Sequence, residues 1–518
     1  MTPLRRSAGL LSGALLLLAS PGVAAIGRQP APLSPLSDAD FRALMAPALT
    51  AAQAQDCPKV LGMIDPVLPR VSGRNRNAAQ LLRLPCLVAA GRTEEATAVY
   101  REISASDPRS GLIRSVGVVV ALSSGDFVEA GNRLASLAEE DPTALSRLTG
   151  TVARGITQAL TESRSYAVRD RVFIALARAD WQPQDRPEMR DGLAQGAIDA
   201  LIGAGRSDEA LTLLPRVGAP ELLVGMAMER HYQPLWPAIE TRLGDHGGTA
   251  VDRFAAARLD AFASRPDDPE SRRDATRSFL LLGRYAEASE TAAPARIAEA
   301  MDDADVTTVR YDAQALAAQG RTDEALARLR PFATLDLGKS QSAASGLVSL
   351  AELLDENGRE EDALAVARTA LAKGGPVLSA WGAGWLRRTE VCALAALGRR
   401  DEANRLGDAL KADATRNEAA TVEALLCLRR SDEAAALAIA TLATPEGAGV
   451  LADQFQPEGA LWAPARSRLR ALWVTLLQRG DVKAAFDKTA RILPQRFWPQ
   501  RGARPIPRIA RPDDVPVT

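Results

Sequence analysis

Apolar residues recur at three- and four-residue spacing through Ala- and Leu-rich runs from about Asp38 to Leu493, which predicts helix after helix. Alternating Val/Ile/Thr-rich runs are absent, so strands have little support. One six-residue pattern punctuates the runs. It reads Gly320-Arg321-Thr322-Asp323-Glu324-Ala325, and it returns as Gly91-Arg92-Thr93-Glu94-Glu95-Ala96, Gly205-Arg206-Ser207-Asp208-Glu209-Ala210 and Gly398-Arg399-Arg400-Asp401-Glu402-Ala403. Looser copies start at Gly125, Gly283, Gly358 and Gly480, and Arg429 takes the Gly position in a degenerate copy. A Gly just past a helical run can adopt the left-handed conformation that ends a helix. Thr93, Ser207 or Thr322 then stands where an N-cap hydroxyl is expected, and the acidic pair falls in the first turn of the next helix, where the macrodipole favours negative charge. Each copy therefore predicts a turn between two helices. A left-handed Arg429 would cost roughly 1 kcal/mol, so a different turn is expected there.

The close steps between anchors are 34, 37, 38 and 40 residues, and gaps of 80 and 78 accommodate two units each. A repeat of that length built from one helical hairpin is the mark of an α-solenoid. The chain here resembles the tetratricopeptide repeat family. Gly91, Ala96, Tyr100 and Pro108 match the family's turn Gly, small Ala, bulky residue and closing Pro, as do Gly125, Ala130, Leu134 and Pro142. Gly320, Ala325 and Leu329 match without the Pro, and the family's early Trp, mid-helix Gly and Tyr are mostly missing. The resemblance implies an all-α fold, a tetratricopeptide-like α-solenoid of roughly ten hairpins wound as a right-handed superhelix. It also implies that the first helix of each hairpin lines a concave groove. Counting back from the turn Gly puts Arg273, Arg277, Arg310, Gln314, Trp385 and Arg388 on that face, and Cys392 and Cys427 on neighbouring first helices.

The ends read differently. Arg5 and Arg6, the apolar run Ala8 to Leu18 and the small residues Val23-Ala24-Ala25 have the order of a secretory signal over residues 1–25, too short to span a bilayer. A Pro-rich linker follows over 26–37, then a helical-repeat half over 38–243 and a tetratricopeptide-like half over 249–493. The Gly-rich run 244–248 is the expected joint. Residues 494–518 hold six prolines and five arginines, so this tail is either disordered or an extended strap, and its Phe497-Trp498 pair is expected to dock.

Composition narrows the function. The formal net charge is −1 and 25% of residues are charged, which argues against disorder and against nucleic acid as a partner. Four cysteines suit the oxidising periplasm that the signal implies; three pairings are open, and the local ones join Cys57 to Cys86 and Cys392 to Cys427. Catalytic machinery is not found. His231 and His246 are the only histidines, too few for a zinc site, and no metal or cofactor is expected. Gly338-Lys339-Ser340 resembles the end of a phosphate loop but has Ala333 at the earlier Gly position. The acidic pairs recur at every turn and so read as capping residues. Trp381 and Trp385 share a helix face that suits either core packing or docking. The expected function is a non-catalytic periplasmic scaffold or adaptor that binds envelope proteins or extended peptides, with no transmembrane span once the signal is removed. The alternative is a polysaccharide export or assembly factor holding an anionic polymer on groove arginines, whose planar forks suit carboxylates.

Overall fold

The computed structural model describes residues 34–299, 301–460, 469–500 and 502–508. The signal reading over 1–25, Trp462 and the tail beyond Arg508 lie outside them. Among the described residues the chain is all helical, with a single isolated antiparallel bridge between Glu229 and Ala490. No helix in that set is long and apolar enough to cross a membrane. The chain divides into two compact units, Met1–Asp107 and Pro108–Thr518, and the 244–248 run lies inside the second.

The first unit holds two hairpins, Asp38–Gln53 with Cys57–Ile64 and Gly73–Ala89 with Thr93–Ser106. Cys57 and Cys86 form a disulfide between them, with Cα atoms 5.0 Å apart. Arg83 is buried and donates to Asp65 and to Glu95, the latter at 3.0 Å, so the acidic residue of the turn also pins the preceding helix.

The recurring turn has one geometry in both units. Gly320 has φ +76°, its N–H returns to Ala317 at 2.9 Å, and the next N–H, from Arg321, returns to Leu316 at 2.9 Å. These paired bonds satisfy carbonyls that the helix end would otherwise leave open. The N-cap position falls on the Arg, not on the hydroxyl residue: Arg92, Arg206 and Arg321 are N-caps without a side-chain cap bond, and Thr93, Ser207 and Thr322 are the first helical residues. The guanidinium instead forks onto the acid three residues on, as in Arg321 with Glu324 at 2.6 and 2.7 Å. Arg92–Glu95, Arg206–Glu209 and Arg430–Glu433 repeat it. Such exposed pairs contribute little to stability, because water and salt screen them. Arg429 makes the same turn as the glycines, left-handed at φ +61° with Arg430 N–H on Leu425 at 2.9 Å, contrary to the expectation of a different one. Gly480 is not a turn residue but the first residue of the helix Gly480–Thr489.

Within the second unit the hairpins stack in order, and the last helices then meet the irregular stretch 220–243. Buried Tyr232, Leu235 and Ile239 share one core with Phe455, Trp473, Phe486 and Phe497. Arg491 seals the seam: its N–H donates to the Met228 carbonyl at 2.8 Å and its side chain to the Ala227 carbonyl and Glu240 at 2.7 Å each. The unit therefore closes on itself, whereas an open array would pair neighbours only. The tail continues as a strap. Phe497 is buried, His246 Nδ1–H donates to the Trp498 carbonyl at 3.0 Å, and Arg504 N–H donates to Leu282 at 2.8 Å. Gly283 serves twice there. Its φ of +68° makes the turn, and a Cβ at that site would stand 2.9 Å from the Gly502 carbonyl of the strap.

Candidate functional site: a cavity walled by the first helices

Four first helices of successive hairpins in the second unit, Asp303–Ala318, Ala343–Glu356, Ala380–Ala396 and Glu418–Cys427, wall a cavity of about 680 Å³. The third carries the most side chains that matter. Ser379 caps it by accepting the Gly382 N–H at 3.0 Å. Trp381, Trp385, Arg388 and Cys392 then follow at spacings of four, three and four, which places them on one face. Gly384 lets this helix approach the next: a Cβ there would stand 2.7 Å from the Asn417 Cβ. Asn417 caps the fourth helix through Ala420 N–H at 3.0 Å and donates to the Trp381 carbonyl at 2.9 Å. At the far ends the same two helices are joined by the Cys392–Cys427 disulfide, Cα atoms 5.2 Å apart. The face is thus held at both ends.

Arg388 is buried, 3% exposed, and each of its guanidinium nitrogens faces a different carboxylate. Nη1 lies 3.1 Å from Asp355, Nη2 3.4 Å from Glu352 and Nε 3.4 Å from Glu423. Burial works against the cation, but the carboxylates of Glu423, Glu352 and Asp355 outweigh it and hold Arg388 above its ordinary pKa. Glu352 is pushed above the usual carboxylate range by desolvation and then by repulsion from Glu423, against the pull of Arg388. The guanidinium also lies 5.2 Å from the Trp385 ring centroid, a cation–π distance. Trp381 packs edge-on against Trp385, centroids 5.7 Å apart and planes at 72°, yet is 61% exposed. Among the described residues the buried Trp385 indole N–H has no hydrogen-bond partner.

Of the six residues placed on the groove by spacing, Arg310, Gln314, Trp385 and Arg388 line this one cavity. Arg273 and Arg277 lie outside its walls. Arg273 is paired with Glu270 at 2.6 Å and Asp274 at 2.8 Å, and Arg277 donates to Glu221 at 2.9 Å and lies 5.1 Å from the Phe254 centroid. A row of available guanidiniums is not what the structure presents: Arg310 itself donates to Ser349 at 2.8 Å. Sequence reading passed over Glu352, Asp355 and Glu423. They occupy first helices rather than turns, and that position was the one signal separating them from the capping acids.

The fold is defined by these observations as an all-α array of tetratricopeptide-like hairpins with a cavity on its first helices. No protein-family model matches the chain, and no curated protein sequence matches it. Among solved structures it is similar to that of Naa15/Naa10 bound to HypK-THB, at 14% identity over 80% of this chain and 71% of that one, with a TM-score of 0.27. It is also similar to the APC/C hetero-tetramer Cut9-Hcn1, at 14% identity over 86% of this chain and 97% of that one, with a TM-score of 0.21. Likenesses this loose bear on neither the partner nor the activity of this chain.

Proposed function

We propose that this is an exported, non-catalytic scaffold of the bacterial periplasm, whose second unit takes an extended segment of an envelope protein into the cavity of its first helices. The observation that carries the reading is Trp381, 61% exposed at a cavity that also holds the unpaired Trp385 indole. A large indole left in water beside a concave site is where binding energy concentrates in interfaces. The two cysteine pairs at bonding distance support an oxidising compartment. The carboxylates about Arg388 work against an anionic polymer in this cavity, because they already engage the guanidinium that would otherwise meet it.

The test places a photo-crosslinking phenylalanine analogue at position 381 in cells, with exposed Leu211 as the control site. The expected result is a discrete protein adduct at 381 that is absent at 211, together with recovery of the protein in the periplasmic fraction. Equal smears at both sites, or retention in the cytoplasm, would overturn the reading.

A further inference from the structure

Resting on that reading of the cavity as a partner site, we propose that the Cys392–Cys427 bond is a site of thiol–disulfide exchange, opened by a dithiol reductant, and that its opening slackens the two helices carrying the partner site. The place of the bond is the first ground. Three rungs join the helices Ala380–Ala396 and Glu418–Cys427. Asn417 donates to the Trp381 carbonyl at 2.9 Å, Arg388 Nε faces Glu423 at 3.4 Å, and Cys392 is bonded to Cys427. Cys392 stands four residues after Arg388, and Cys427 four after Glu423, so the covalent rung lies one helical turn beyond the buried ion pair on both helices. Glu423 also accepts from the Trp473 indole at 3.4 Å. Arg388, Glu423 and Trp473 all line the partner cavity, so a change at the outer rung is passed to its walls.

Access is the second ground. Both cysteines line another cavity, of about 460 Å³, with Leu469 and Leu472 on its wall. Cys427 is half-buried and Cys392 is 3% exposed, so an entering thiolate meets Cys427 and Cys392 is the leaving group. Charge is the third ground. Among the described residues Arg400 and Arg429 line this second cavity, no carboxylate does, and neither guanidinium has an ion pair or a side-chain hydrogen bond. Two cations on an otherwise uncharged wall favour the thiolate that attacks and the one that leaves, and exchange is faster when the leaving thiol is the better acid. In the reaction the reductant's thiolate attacks Cys427 Sγ, and a mixed disulfide forms as the Sγ–Sγ bond breaks. Cys392 departs as a thiolate and takes a proton from water. The reductant's second thiol gives up its proton, attacks its own sulfur in the mixed disulfide and releases Cys427. Two electrons and two protons thus pass from one dithiol to the chain, and the reductant leaves as a disulfide.

The probe is dithiothreitol, added to the oxidised full-length protein without denaturant, with freed thiols alkylated and located by peptide mass spectrometry. Cys392 and Cys427 are expected to be labelled while the helical circular dichroism stays native. Amide hydrogen exchange in Ala380–Ala396 and Glu418–Cys427 should then quicken at least about fivefold. Arg400 is exposed, so Arg400→Gln should leave the melting temperature unchanged. It should slow the labelling at low salt roughly threefold to tenfold, and Arg400→Lys should restore the rate. Labelling only as the helices unfold, an Arg400→Gln rate equal to the wild type, or amide exchange unmoved by reduction would overturn the inference. In cells, Cys392→Ser combined with Cys427→Ser stands for the opened state. Per molecule recovered, its adduct at position 381 should fall about fivefold or more, and an equal yield would also overturn the inference. No adduct in either form, with labelling and amide exchange as expected, would remove the partner and leave the exchange site standing.

Discussion

The Arg491 guanidinium lies 3.5 Å from the centroid of the Trp236 ring, while its nitrogens bond the Ala227 carbonyl and Glu240. This contact joins the last helical pair of the second unit to its irregular middle, and no repeat-to-repeat stacking passes through it. Replacing Arg491 with Ala removes the cation–π contact and the bond to the Ala227 carbonyl, and leaves Glu240 with Arg496 as its remaining partner. A loss of roughly 2–4 kcal/mol is expected in urea unfolding, with early proteolysis after residue 493. Arg491→Lys keeps the charge but not the planar fork, so it should recover less than half. An Ala variant unfolding with the wild-type midpoint would show that the seam contributes little.

Gly384 tests the close approach behind the cavity. A methyl there meets Asn417, so Gly384→Ala should cost roughly 1–3 kcal/mol and shift Trp381 fluorescence. Gly192, in the helix Met189–Gly203, has nothing within 4 Å of a built Cβ. Gly192→Ala should therefore stabilise by about 0.5–1 kcal/mol through helix propensity. Like signs for the two variants in thermal melts would refute the packing account.

The turns make an opposed pair. Gly320→Ala puts a side chain at φ +76° and should cost about 1 kcal/mol. Arg429→Gly releases a non-Gly residue from φ +61° and should gain about 0.5–1 kcal/mol, offset in part by the unfolded-state entropy of Gly. Calorimetric melting of both decides it, and a destabilised Arg429→Gly would show that this arginine makes contacts worth more than its strain.

Glu229, beside the seam, predicts an unusual pH dependence. Burial, and secondly the nearby Asp199 carboxylate, push its pKa up to about 7 from 4.5. The folded state thus favours the protonated form. That stabilisation is complete below about pH 4.5 and is lost as pH rises through 7, roughly 3 kcal/mol in all. Glu229→Gln should flatten the decline between pH 5 and 8 and be the more stable protein at pH 8. Asp199, also raised by burial, adds a slope of the same sign. Urea midpoints that rise with pH across this window in the wild type, and do so equally in the Gln variant, would contradict it.

The hairpins were legible because a left-handed turn needs Gly, and Gly followed by Arg and an acid is a local signal repeated at a steady step. The same step carries register, and Arg310, Gln314, Trp385 and Arg388, placed by it on first helices, line one cavity from two of those helices. The state of their charges was not legible. Asp355, Glu352 and Glu423 reach Arg388 from two other hairpins, more than thirty residues away on either side, and nothing in the local pattern separates an arginine facing solvent from one facing three acids. The pairing of Arg273 and Arg277 with Glu270, Asp274 and Glu221 was hidden in the same way.

By itself, then, the sequence determined what is local: helices and the corners between them. Tertiary structure alone decided the closure of the second unit through Arg491 and Trp236, the strap over Gly283, and the conversion of a presumed row of cationic side chains into a neutralised cluster beside an open aromatic corner. The physical reason is range. Backbone hydrogen bonds and side-chain periodicity act within a few residues, whereas burial and Coulomb interaction depend on whatever the fold brings within a few ångströms, however far apart in the chain.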